Sequence, residues 1–400
     1  LAVFGKAVDC VYEFDKADVV VSLDGDFMGD GPGRIRYTRA FTDRRRIRKD
    51  TKEINRLYSA ESTPTITGGM ADNRVRVSPS NVEEVAKALA SAIGMSMQAR
   101  ELDAKVAKWV TAAAADLAAH RGRCIVYPGR NASPATHAIA HLLNEALGNV
   151  GITVKRVSPV AAKPTVQTDD LRALHSELKA GSVNALLIIG ATPVYNAPAD
   201  LPFADLLKSV PFTARLGTYA DETSLYCRWH VPMAHELETW GDARAFDGTV
   251  SLMQPLIEPL LGGKSPLEVL SAIRGDEKAA DELVMRHWQS ATGLSGEAFN
   301  AQWRKWLHDG VIPNSSAQEE LVVADPGGVS RLAMAAGSGL EVAFRHDPTV
   351  FDGRFSNNAW LEELPKPLYK TTWDNVVAMS PATAEQLGIE PAKEGRNGKG

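Results

Sequence analysis

Cysteine is scarce in this chain. Cys10, Cys124 and Cys227 are its three cysteines, and they stand far apart. No C-x-x-C, C-x-x-C-H or four-cysteine cluster occurs, which argues against an iron–sulfur cluster, a c-type haem or a zinc ribbon held by this stretch alone. Apolar runs are short as well. None approaches the ~18–20 residues of a membrane span, so no direct membrane insertion is expected. Positive charge is not in excess: Lys and Arg number 44 against 49 Asp and Glu, a net charge of −5, which speaks against nucleic acid as a partner. No G-x-G-x-x-G follows a strand and no G-x-x-x-x-G-K-[ST] exists, so dinucleotide and P-loop readings lose their main support. A G-x-S-x-G elbow is missing too, which disfavours an α/β-hydrolase. The chain opens on LAVFGKAV, without Met or a signal peptide, and closes on EGRNGKG as a new domain is expected to begin. It reads as a fragment.

What is present is the material of a large soluble protein: 44% hydrophobic and 23% charged residues over a length that calls for two or three domains. The organising stretch runs from 184 to 247. It opens NALLIIGATPVYNAP, where an apolar run ends at Gly190 and Ala-Thr-Pro follows. That is the signature of a buried strand arriving at a sharp loop. ADVVVSLDGDF (17–27) and RCIVYPGRNASP (123–134) repeat it. Ligands of open α/β sheets sit beyond the carboxyl ends of such strands, so these three loops are the places to look for a site.

Along the chain, the valine-rich residues 15–23 read as a strand ending in Asp24-Gly25-Asp26. A basic segment follows, with eight Lys/Arg between Arg34 and Lys49. Such a run either steers an anionic partner or makes a solvated face with interdomain ion pairs, and the second is the commoner case. Residues 61–74 lack periodicity. Ser80 and Glu83 have capping-box spacing ahead of an apolar 3–4 repeat, and an alanine-rich helix is expected over 101–120, carrying the chain between domains. Residues 123–157 read as a βαβ unit with a helix opened by Ser133-Pro134. Next come a helix at 169–179, the strand ALLIIG, a helix near 204–209 and the strand FTARLG. This alternation predicts an α/β fold with parallel sheets and right-handed crossovers. Beyond Gly248 the pattern turns helical to about Leu307, with Trp288, Trp303 and Trp306 as expected anchors. The divisions expected are 1–117, 118–262, a helical extension over 263–345, and the start of a β-rich domain over 346–400.

His230, His235 and Glu238 form H-x4-H-x2-E, but only the last two share a helical face and Pro232 interrupts the segment. No metal site is expected from them. Ser133-Pro134 could present backbone N–H groups to a phosphate, yet a cap with Pro at its first helical position needs no ligand.

The central motifs resemble a known family. IIGATPVYNAPAD, DETSLYCRWHVPMAHELETWGDARAFDG, SLMQPLIEP and NEALGNVG look like the molybdopterin oxidoreductase superfamily. ADVVVSLDGDFMGDGPGRIRYTRAF, RLYSAESTPTITGGMADNR and NNAWLEELPKPLYKTTWDN are similar to the large twin-arginine-exported, iron–sulfur-associated subunit of alternative complex III, a bacterial quinol-oxidising respiratory complex. The resemblance implies Rossmann-like domains of the DMSO reductase type. If a pterin is retained, it implies cofactor contacts from Gly129, Arg130, Asn131, Gly190, Thr192 and Asn196. The departures imply that it is not retained. Gly190-Ala191-Thr192-Pro193 stands where the enzymes have G-x-N-P, and Asp24 and Asp26 would set carboxylates beside the cofactor's pyrophosphate. The expectation is therefore a scaffold domain with no catalytic or metal-binding residues and no cofactor of its own. Iron–sulfur clusters are expected elsewhere in the full-length chain. Haem c and integral membrane quinol-binding subunits are the implied partners, on the periplasmic face of the inner membrane. The alternatives are a catalytic molybdopterin enzyme of the polysulfide or thiosulfate reductase type, which would hold molybdopterin guanine dinucleotide in the same loops, and a non-redox α/β binding protein.

Overall fold

A computed structural model describes residues 2–47, 53–332, 337 and 339–389. β1 (Asp9–Tyr12) leads through a 3-10 turn at Phe14–Lys16 into β2 (Val19–Leu23), which is buried along its whole length. α1 (Arg34–Asp43), β3 (Arg56–Glu61), the short α2 (Ile66–Gly69) and β4 (Asn73–Arg76) follow. Then come α3 (Asn81–Ala92), α4 (Ala104–Ala119), β5 (Cys124–Pro128), α5 (Pro134–Ala146) and β6 (Val154–Val157). The order β4-β3-β2-β5 makes one parallel sheet.

Side chains alternate across a strand, and β2 shows why its valine run is continuous. Val19, Val21 and Leu23 enter a core with Val85, Leu89, Leu117, Ile139 and Leu143 from the helices. Val20 enters a second core on the opposite face, with Phe14, Phe27, Phe41, Leu57 and Ile125. Burial on both faces stabilises each such side chain by about 1.5–3 kcal/mol.

The pairing of β6 differs from the sequence expectation. It does not continue the parallel sheet beside β5 but pairs antiparallel with β1, so residues 123–157 are not a βαβ unit of one sheet. The reason is local. The Asn144 side chain from α5 donates to the Val126 carbonyl at 2.7 Å and accepts from the Val126 N–H at 3.0 Å. Its remaining capacity goes to the Ala140 carbonyl and the Asn149 amide. A side-chain amide thus does for β5 what a further strand would have done, and β6 finds its partner in β1.

Other expectations are corrected in the same region. The strand predicted over 15–23 begins at Val19, because Phe14 turns inward to stack on Phe27. The Ser80–Glu83 capping box does not form: Ser80 donates its hydroxyl to Glu341, and Glu83 receives that of Ser133. The aperiodic residues 61–74 contain α2 and the start of β4. α4 does not carry the chain out of the domain but returns it to the same sheet at β5, so this sheet joins residues on both sides of the 117/118 division. The basic segment makes mostly internal pairs. Arg36 meets Glu13 and Asp247, Arg44 meets Asp18, and Arg45 meets Asp72. Arg48 and Lys49, like 394–400, lie outside the described residues.

α6 (Gln167–Lys179), β7 (Ala185–Ile189), α7 (Pro193–Asn196), α8 (Ala204–Ser209), β8 (Phe212–Gly217), α9 (Glu222–Tyr226) and β9 (Trp229–Pro232) build a second parallel sheet, β7-β8-β9. β7 was expected to be buried, yet only Ile188 is; the strand lies at the sheet edge and α6 and α8 cover one face. The third unit is antiparallel. β10 (Gly241–Arg244), β11 (Val250–Met253), α10 (Pro266–Ile273), α11 (Ala280–Thr292), α12 (Gly296–Asp309) and β12 (Val311–Ile312) occur in that order, and β10-β11-β12 form its sheet. Trp288, Trp303 and Trp306 fill its core with Phe299 and Val284, as their spacing on two helices predicts. Residues 346–389, where a β-rich domain was expected to start, contain short helices at Ala359–Glu363 and Pro381–Gln386 and an isolated bridge between Asp347 and Phe351. Among the described residues no helix is long and apolar enough to cross a membrane.

Replacing Asn144 by Leu leaves both polar groups of Val126 buried without their partner. Urea denaturation is expected to show a loss of about 2–4 kcal/mol; a loss under about 1 kcal/mol would mean that the strand edge is satisfied in another way.

Candidate functional site

The carboxyl ends of β2, β3 and β5 meet at one crevice. Asp24 leaves β2 at φ +55°, a conformation that few non-glycine residues adopt, and is almost fully buried. Its carboxylate accepts the Ser62 N–H at 2.8 Å and the Ser62 hydroxyl at 3.1 Å. Asp26 accepts the Thr67 N–H at 2.9 Å, the Thr67 hydroxyl at 2.8 Å and the Gly29 N–H at 3.2 Å. Glu61, at the end of β3, is wholly buried between Thr65 and Arg74. Gly129 follows β5 directly beneath Asp24. A Cβ there would lie 1.9 Å from the Asp24 carbonyl oxygen, so the close approach requires glycine. Arg130 and Asn131 beside it are exposed.

The β7 loop lies under the second sheet's carboxyl ends. Gly190 turns at φ +64°, and Thr192 is the N-cap residue of α7, its carbonyl receiving the Tyr195 and Asn196 N–H groups. Gly190 and Asn196 are exposed. The two sets of expected residues do not converge directly on one cavity. They are joined by a segment that sequence reasoning missed, residues 345–354.

That segment straps all three loops. The Arg345 guanidinium donates to Asp24 at 2.7 Å and to the Ser62 hydroxyl at 3.0 Å. The Phe351 ring lies 6.0 Å from the Arg130 guanidinium and stacks on His346 at 4.0 Å. Asp352 accepts from the Asn196 amide at 3.3 Å, and Gly353 packs against the Tyr195 ring. Behind the strap, buried Lys366 holds Asp347 at 3.1 Å and Thr349 at 2.7 Å. Side-chain hydrogen bonds from Arg354 hold Asp352 down at about 2, with burial opposing.

The remaining candidates have hydrogen-bond partners within the chain. His230 Nδ1 lies 3.0 Å from the Ser224 hydroxyl, in a network that runs through Asp221 to the buried Arg215. His235 and Glu238 close a turn, with the Glu238 carboxylate receiving the His235 and Leu260 N–H groups. No metal-binding group of three occurs among the described residues. Ser133 caps α5 through the Thr136 N–H, with Pro134 following it. Burial raises the Cys10 thiol to about 12 and the Cys124 thiol to about 11, so both stay protonated at neutral pH.

No family model matches the chain. Over 166 residues it is 32% identical to the "menaquinone reductase, molybdopterin-binding-like subunit" of Nitratidesulfovibrio vulgaris. That match takes in 37% of this chain and 23% of the relative's length. The fold aligns with acetylene hydratase from Pelobacter acetylenicus at a TM-score of 0.53 and 10% identity, over 74% of this chain and 53% of that one. The chain is thus similar in sequence to part of a molybdopterin-binding-like subunit and shares its fold with acetylene hydratase, spanning less than two thirds of either protein.

The resemblance makes a pyranopterin with its pyrophosphate the group to test against these loops. The residues present do not fit it. Asp24, Asp26 and Glu61 place carboxylates at these strand ends, and Arg345 and Arg74 are already paired with the first and last. Neither guanidinium is left to meet a pyrophosphate, while Asp26 would repel one. The N–H groups of Ser62 and Thr67 already face carboxylates of this chain, and the strap lies over Arg130 and Asn196. Two open grooves flank this region, one along α1 that includes Met28 (about 540 Å³) and one between β4 and α4 that includes Arg74 (about 760 Å³); none of Gly129, Arg130, Asn131, Gly190, Thr192 or Asn196 lines either.

Removing Arg345 strands the charge of the buried Asp24 carboxylate. Arg345→Met is expected to lower unfolding stability by about 3 kcal/mol, and adding Asp24→Asn should recover part of the loss, because the two changes couple. Equal losses in single and double variants would show that the pair is not the tether.

The Asp352 ion pair gives a pH signature. The folded value, about 2, lies below the ordinary 3.8, so its stabilisation is complete above 3.8 and is lost as pH falls through that window. The difference in melting temperature between native protein and Asp352→Asn should stay constant between about pH 7 and 5 and shrink only below about pH 4. A difference that fades near neutrality would assign the effect to another group.

Proposed function

We propose that this chain is a pterin-free, molybdopterin-oxidoreductase-like scaffold domain of a respiratory, quinone-linked electron-transfer complex. One observation carries the reading: the crevice at the strand ends is closed by the chain's own groups, with Arg345 on Asp24 and residues 351–353 across the Arg130 and Asn196 loops. Identity to a subunit of a menaquinone reductase supports a quinone-linked, multi-subunit setting. Within that setting the domain supplies shape. Electrons would pass through iron–sulfur clusters outside this chain, and through haem c and integral membrane quinol-binding subunits on the periplasmic side. The narrower assignment to alternative complex III rests on the resemblance of residues 17–41, 56–74 and 357–375.

The test is elemental analysis for molybdenum and tungsten, with fluorescence detection of oxidised pterin, on the full-length protein purified in its complex. The expected result is iron without stoichiometric molybdenum, tungsten or pterin. Near-stoichiometric metal and pterin would overturn the scaffold reading and favour the catalytic enzyme, with the strap as a movable element.

A further inference from the structure

The first sheet has two edges, and the chain treats them differently. At β5 the Asn144 amide satisfies the outer strand as described above. β4 is the opposite edge. There, one side-chain donor from the described residues reaches the main chain, the Trp109 indole N–H on the Asn73 carbonyl at 2.9 Å. An unpaired strand edge is a template for another strand.

Charge decides what could use it. The groove of about 760 Å³ beside β4 is lined by that strand and by the first turns of α4. Arg76, Lys105 and Lys108 line it, are exposed, and make no ion pair among the described residues. Arg74 is committed to Glu61. Asp103, the acid in the lining, is engaged in capping α4 through the Lys105 N–H at 2.8 Å. Three uncommitted cations thus flank an open strand edge in a chain whose net charge is −5. A second copy of the chain would bring the same cations to the same edge, and like charges facing one another oppose that pairing.

We propose that β4 and its groove bind an extended acidic segment of a partner polypeptide. Its main chain would continue the sheet beyond β4, and its carboxylates would meet Arg76, Lys105 and Lys108. Strand addition draws affinity from main-chain hydrogen bonds and selectivity from alternate side chains. Both elements are present here. A nucleic acid would use the cations and leave the strand edge idle.

Fluorescence anisotropy on the full chain tests this with a short labelled peptide alternating Glu and Val. Its controls are the same peptide with alternate main-chain nitrogens methylated, a Lys-for-Glu version, and a single-stranded oligonucleotide. The acidic peptide should bind, weaken as salt rises, and lose about tenfold or more in affinity for an R76E/K105E/K108E variant that retains the native melting temperature. The methylated and basic peptides should not bind. The proposal is overturned if the acidic peptide fails to bind, if the methylated peptide binds equally well, or if the oligonucleotide binds more tightly than either. The methylation comparison uses the native protein, so it decides the matter even where the charge-reversed variant does not fold.

Discussion

The ion pair between buried Asp24 and partly exposed Arg345 sets the rest of the crevice. Asp24 sits at the end of the central strand in a left-handed conformation, a local strain of about 1–3 kcal/mol that persists only where surrounding contacts over-determine it. Those contacts are Ser62 from the β3 loop, the main chain of Gly129 beneath, and a guanidinium brought from the far end of the sequence. A buried ion pair adds little stability over well-packed apolar residues, but losing one member is costly. Its effect is therefore one of arrangement. With Arg345 placed on Asp24, residues 346–354 must cross the mouth of the crevice, and Phe351, Asp352 and Gly353 reach the other two loops.

Much of the fold could be read from local pattern because local pattern causes it. β2 and β5 are apolar runs closed by turn residues, and α5 is announced by Ser133-Pro134. The tryptophans of α11 and α12 recur at the spacing that puts them on one buried side. β1 was missed because DCVY is four residues long with one end exposed, too short for alternation to separate it from loop. β6 was placed in the wrong sheet because nothing in CIVYP indicates that a side chain from α5 closes its edge. The capping box at Ser80 failed for a related reason: the motif was present, but Glu341 and Ser133, distant in sequence, offered both residues other partners.

The candidate site was legible in position and not in content. The sequence located the three loops, since a strand followed by Gly or Asp-Gly says where a chain must turn. It also flagged Asp24 and Asp26 as uncomfortable beside a phosphate. It could not name their partners. Arg345 lies among residues without periodicity, and its pairing spans the length of the chain. Tertiary ion pairs leave no spacing rule to find.

The chemistry of those two aspartates suggests how an α/β fold can keep its loops without a ligand. Backbone N–H groups at strand-to-helix turns point outward, and turns of this kind hold phosphates in many proteins. Left bare in a closed crevice, each such group would cost about 1–3 kcal/mol. Here the acceptors are internal: Asp24 takes the Ser62 N–H, and Asp26 takes those of Thr67 and Gly29. Carboxylates in these positions stand where a bound anion's oxygens could stand, and Arg345 supplies the countercharge. On the scaffold reading proposed above, the parallel sheet would need no cofactor to complete its carboxyl end. A fold that satisfies its own loops in this way can persist as architecture, and fold alone does not commit it to the chemistry of its relatives.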